Sequence, residues 1–118
     1  MKWLLVFMGG GVGSVVRFLC SQLISKTSFP WATFGVNVAG SLLIGALMAY
    51  FTKQQNEVTL SRLFLITGFC GGFTTFSTFS LEVVQYIQKQ AYTMAITYAL
   101  ASLVLCILAT VLGFFLFK

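Results

Sequence analysis

Apolar residues gather into four long stretches, Trp3 to Ile24, Trp31 to Phe51, Leu63 to Ile87 and Tyr92 to Phe117, divided by short polar breaks. A helix needs roughly 20 apolar residues to cross the hydrocarbon of a bilayer. Each stretch is about that long, so the pattern predicts four transmembrane helices. The longest connector, Thr52 to Ser61, is polar and carries no motif, and its Glu57 is read as solvated. Four spans use up the chain and leave no room for a soluble catalytic domain, which predicts a single all-α membrane domain over residues 1–118.

The third stretch departs from its own pattern. Gly68 to Glu82 reads Gly-Phe-Cys-Gly-Gly-Phe-Thr-Thr-Phe-Ser-Thr-Phe-Ser-Leu-Glu, a composition unlike that of a lipid-facing helix. Gly71-Gly72 weakens a helix entropically, while the Thr74 and Thr75 hydroxyls can satisfy freed backbone groups. Irregular backbone at membrane depth survives only where protein surrounds it or where it lines a cavity. The stretch therefore predicts a broken helix at a functional centre. Its unwound turn would expose carbonyl oxygens, ligands that suit a small hard cation.

The other spans supply matching features. Gly9 and Gly13, like Gly10 and Ser14, stand four apart and permit close helix approach, and Arg17 follows. Arg17 either snorkels to the nearer surface or structures a polar vestibule. Phe29-Pro30-Trp31 marks a turn at the membrane boundary. In the second span Thr33, Asn37 and Ser41 share a face, beside Gly40 and Gly45. A carboxamide in lipid needs a partner, so Asn37 bridges helices, offers its NH2 to a permeating species, or does both. Tyr98, Ser102, Cys106 and Thr110 form a four-residue-spaced polar rail on the fourth span, whose hydroxyls either bond back to their own helix or mark a path.

Composition agrees with burial in lipid: mean hydropathy is +0.97, with 58% hydrophobic residues, 8% charged residues and no histidine. The net charge of +5 rests on cations that mostly stand at span ends, where they anchor and orient the chain. Lys2, Lys53, Arg62 and Lys118 fall on the side holding both termini, against Lys26 and Lys89 on the other. That modest bias is compatible with insertion in both orientations. The opening apolar run exceeds a signal-peptide core and contains Arg17, so it reads as a retained span. Cys20, Cys70 and Cys106 make no metal or disulfide spacing and read as small packing residues.

Phe73, Phe76 and Phe79 recur at three-residue intervals, ordinarily a packing stripe. Here they lie among hydroxyls, and an aromatic edge is electropositive, so rings turned edge-on can stabilise a small anion without a permanent charge. Glu82, one turn beyond Phe79, is expected in a water-accessible vestibule or near the interface.

Together, Gly9-Gly10 through Gly13 to Arg17, Val36-Asn37 with Gly40-Ser41 through Gly45, and Gly71-Gly72-Phe73-Thr74-Thr75-Phe76-Ser77-Thr78-Phe79-Ser80 resemble the Fluc/CrcB family of bacterial fluoride channels over essentially the whole chain. The resemblance implies a multi-pass protein of the bacterial cytoplasmic membrane that exports fluoride passively and protects against its toxicity. It further implies an antiparallel, dual-topology homodimer with two pores along the subunit contacts and a central structural sodium ion (Na+). Carried over, Gly71 and Thr74 would supply the sodium-binding carbonyls, Phe76 and Phe79 the pore rings, and Asn37 the pore amide. Tyr98 and Ser102 match the polar track, with Thr75, Ser80 and Glu82 beside it. Ala32 departs from a frequent glycine, and Cys106 from a frequent hydroxyl.

Two other readings compete. A four-helix proton-coupled multidrug exporter needs a titratable group deep in the membrane, which the first span lacks. A non-transporting membrane subunit explains the glycines but not the amide, the rail and the break together. Enzyme chemistry is disfavoured by the lack of histidine, acidic dyad or phosphate-binding loop.

Overall fold

Each apolar stretch folds as a helix long enough to cross a bilayer: Lys2–Leu23, Trp31–Lys53, Leu60–Gln88 and Tyr92–Phe117. The computed structural model describes residues 1–54 and 58–118. Glu57 lies outside the described residues.

The third span is two half-helices. Its entering half begins with an α-helical turn, Leu60–Arg62, passes through a π-helical segment, Leu63–Cys70, and ends in a second α-turn, Gly71–Phe73. Thr74 and Thr75 are extended, and the leaving half runs Phe76–Gln88. Hydroxyls do the work that the sequence assigns them. Thr74 Oγ1 donates to the Cys70 carbonyl at 2.8 Å, and Thr75 Oγ1 caps the leaving half by accepting from the Thr78 N–H at 3.2 Å. The break also rotates the chain: Phe73 turns inward and stacks on Phe69 (5.6 Å, 12°), off the face that Phe76 and Phe79 share. The three-residue stripe expected from Phe73 onward therefore starts only at Phe76, because helical periodicity does not carry across two extended residues.

Glycines set which helices touch. A Cβ at Gly9 or Gly13 would collide with the Phe64 or Phe69 carbonyl, so the first helix lies directly on the backbone of the π-helical segment. Gly45 and Gly113 do the same for the second and fourth helices, meeting the Thr110 and Leu42 carbonyls. Two tightly packed pairs thus form, the first helix with the entering half of the third span and the second helix with the fourth, and the leaving half rests mainly on the fourth helix. It ends in a Schellman-type cap, with the Ala91 N–H donating to the Tyr86 carbonyl, the Gln90 N–H to that of Ile87, and Gln90 at φ 58°.

Candidate functional site

The site is built around the break. Asn37, from the second helix, meets the Thr75 peptide with both ends of its amide: Nδ2 donates to the Thr75 carbonyl at 3.0 Å, and Oδ1 accepts the Thr75 N–H at 2.8 Å. An amide thus replaces the helix bonds that the break gives up, which is the bridging role open to Asn37 from sequence. The second Nδ2 hydrogen is left over, because a carboxamide carries two.

Asn37, Thr75, Phe76, Phe79, Ser102 and Cys106 all line one cavity of about 340 Å³. Among the described residues, no Lys, Arg, Asp or Glu contributes to its wall. Ser102 is buried beside that cavity, and its hydroxyl has no hydrogen-bond partner, an uncompensated polar group. The Phe76 and Phe79 rings lie 5.5 Å apart at 48°; Phe76 is 77% exposed, while Phe79 is half-buried.

The remaining rail positions divide. Tyr98 is fully buried, 5.1 Å from the Phe79 ring, outside the cavity wall. Thr110 Oγ1 donates to the Cys106 carbonyl, and Ser80 Oγ to that of Phe76, each satisfied by its own helix. All three cysteines are free thiols.

Arg17 lines a second cavity of about 210 Å³ with Ser14, Ser21, Thr33, Thr75 and Thr78. Thr75 therefore separates the arginine-lined space from the phenylalanine-lined one. Beyond it, Glu82 and Thr33 border a third space of about 520 Å³, open toward Lys26 and Lys89. Glu82 is half-buried and held at both oxygens: Thr33 Oγ1 donates to Oε1 at 2.7 Å and Tyr98 Oη to Oε2 at 2.6 Å. Thr33 lies on the Asn37 face as its spacing predicts, whereas its bond to Glu82 is a tertiary contact with no counterpart among the expectations from sequence. The spacing of Thr33 and Asn37, one turn apart, was the available signal.

The backbone at the break bears on the cation that the sequence implies. The Gly71 carbonyl loses its usual helical donor, because the Thr75 N–H goes to Asn37, and the Thr78 N–H that could reach the Thr74 carbonyl goes to the Thr75 hydroxyl. Nothing crowds the Gly71 Cα. Two carbonyls at the C-terminal, electronegative end of a half-helix are the hard donors that a sodium ion takes. Gly71 and Thr74 fit that role.

The family model described as CrcB-like protein, Camphor Resistance (CrcB), matches residues 4–114. The chain is 44% identical over 116 residues to the fluoride-specific ion channel FluC of Flavobacterium psychrophilum, covering 96% of this chain and 94% of the relative. It is 45% identical over 115 residues to that of Phocaeicola vulgatus (93% of each chain), and 45% over 112 residues to that of Agrobacterium fabrum (92% and 90%). The match spans all four membrane helices, including the break within the third, and the chain belongs to the CrcB family.

Proposed function

We propose that the chain conducts fluoride passively across the bacterial cytoplasmic membrane and so limits fluoride toxicity. In this reading it works as an antiparallel, dual-topology homodimer with two pores and a structural sodium ion held by Gly71 and Thr74 carbonyls. The observation that carries it is the cavity beside the break. Its wall joins the Asn37 side chain, Ser102 with its unpartnered hydroxyl, and two phenylalanine residues, with no fixed charge among the described residues. Fluoride is small and strongly hydrated, so a pore must replace its water with donors while offering no site deep enough to trap it. Neutral donors and ring edges answer both demands. Relatives over nearly the full length carry the name fluoride-specific ion channel, which supports the choice of anion.

The exposed Phe76 ring and the open face at Gly71 support completion of the site by a second copy. Sodium, when bound, supplies positive potential near the path and ties the copies together. No bond is made or broken, so the role is transport rather than catalysis. The test is fluoride release from proteoliposomes, followed with an ion-selective electrode against a chloride control. Rapid fluoride release with chloride retained is expected; well-folded protein that releases no fluoride refutes the reading.

A further inference from the structure

The Tyr98 ring is fully buried and enclosed by three others: Phe79 at 5.1 Å, Phe29 at 5.4 Å and 83°, and Tyr86 at 6.3 Å between centroids. Phe79 belongs to the cavity wall. Phe29 belongs to no helix: it lies in the connector between the first and second spans, just before Pro30. Its ring is gripped there, tilted on Trp31 at 4.5 Å and edge-on to Phe34 at 5.4 Å. The neighbouring carbonyl, that of Ser28, accepts the Tyr86 hydroxyl.

Tyr86 stands one helical turn past Glu82, on the helix that carries it. A closed circuit results. Tyr98 donates to Glu82, the leaving half carries Glu82 and Tyr86, Tyr86 ties the connector at Ser28, and the connector returns through Phe29 to the Tyr98 ring. A phenol packed on three sides has little freedom to turn, since each wall removed forfeits many dispersion contacts. The direction of its hydroxyl is then set by its neighbours.

We infer that Phe29 and Tyr86 are positioning residues that act through Tyr98: the connector ring and its hydroxyl tie hold the Tyr98 phenol on Glu82. The inference rests on the fluoride-conducting reading, in which Tyr98 stands behind the Phe79 ring of the cavity wall and holds Glu82 at the edge of the third space. The simpler role for Phe29, Trp31 and Tyr86 is an aromatic belt at the membrane boundary. A belt would affect insertion and general stability without singling out the Tyr98 hydroxyl.

The two are separated by fluoride flux from proteoliposomes bearing Phe29→Leu in the parent and in the Tyr98→Phe background. The expected result is about a tenfold loss in the parent and less than about twofold where the hydroxyl is already gone, the mark of two residues acting as one unit. Equal losses in both backgrounds overturn the inference. A second measurement does not depend on conduction: tyrosine ¹³C-labelled at Cζ, placed at position 98, reports the state of its hydroxyl bond. Phe29→Leu and Tyr86→Phe, which removes only the tie to Ser28, should each shift or broaden that resonance in the sense that Glu82→Gln does. The exposed boundary variant Tyr92→Phe should leave it in place. A resonance unmoved by both Phe29→Leu and Tyr86→Phe overturns the positioning role. A parent protein that folds but releases no fluoride overturns the conducting reading instead, and the resonance still decides the role of the connector.

Discussion

The Asn37 side chain and the Thr75 peptide bind each other reciprocally, amide to amide, at 3.0 and 2.8 Å. One residue of the second helix thereby carries the hydrogen bonding of a discontinuity in the third. The same side chain lines the cavity and has a second Nδ2 hydrogen beyond the one given to Thr75, so the conducting role proposed for it is compatible with the structural one.

Asn37→Ala should therefore lower stability as well as flux. It strands the N–H and the carbonyl of the buried Thr75, at about 1–3 kcal/mol for each unsatisfied group. Thermal unfolding in detergent should show a clear drop. An unchanged midpoint would mean that Asn37 is not what holds the break.

Ser102→Ala should separate the two quantities. The hydroxyl is buried without a partner, so its removal should leave stability unchanged or raise it by up to about 1 kcal/mol. If the hydroxyl serves a passing anion, flux falls in the same variant. Coincident loss of both would point instead to a structural bond made in the assembled protein.

The two phenylalanines should differ in kind. Phe76→Ile removes a ring that one copy leaves 77% exposed, so flux should fall by at least about tenfold, roughly 1.4 kcal/mol of lost anion stabilisation, with little change in the unfolding midpoint. Phe79→Ile also strips a wall from Tyr98, so it should lower flux and midpoint together. Full fluoride flux in both variants would remove the rings from the conducting surface.

Gly45→Ala should disrupt the pairing of the second and fourth helices, because the added methyl meets the Thr110 carbonyl, a backbone atom that cannot swing aside. Overpacking of this sort costs about 1–3 kcal/mol. Gly11→Ala, at a helical position with open space, is the control and should leave the midpoint unchanged or raise it slightly in the same unfolding assay.

Much of this was legible in the chain. Length and hydropathy marked the four spans, since lipid permits few alternatives to a helix, and Gly71-Gly72 with the two threonines marked the break. Asn37 announced itself as a costly group needing a partner. Its partner did not, because a peptide 38 positions away leaves no local trace. The inward turn of Phe73 was hidden for a related reason: its spacing to Phe76 reads as helical until the extended pair between them is known. The Thr33–Glu82–Tyr98 clasp joins three spans, and only tertiary structure brings them together.

The π-helical run Leu63–Cys70 bears on how this chain can change in sequence. In an α-helix each residue advances the chain by about 100°, and the wider i→i+5 winding advances it by less. The eight residues therefore act as a phase adjuster, setting the rotation at which Gly71 to Thr75 emerges. Losing one residue anywhere in that run would preserve composition, hydropathy and length enough to span, yet swing the break off Asn37. Point substitutions there are a matter of packing, whereas a change in residue count would dial the functional centre out of register.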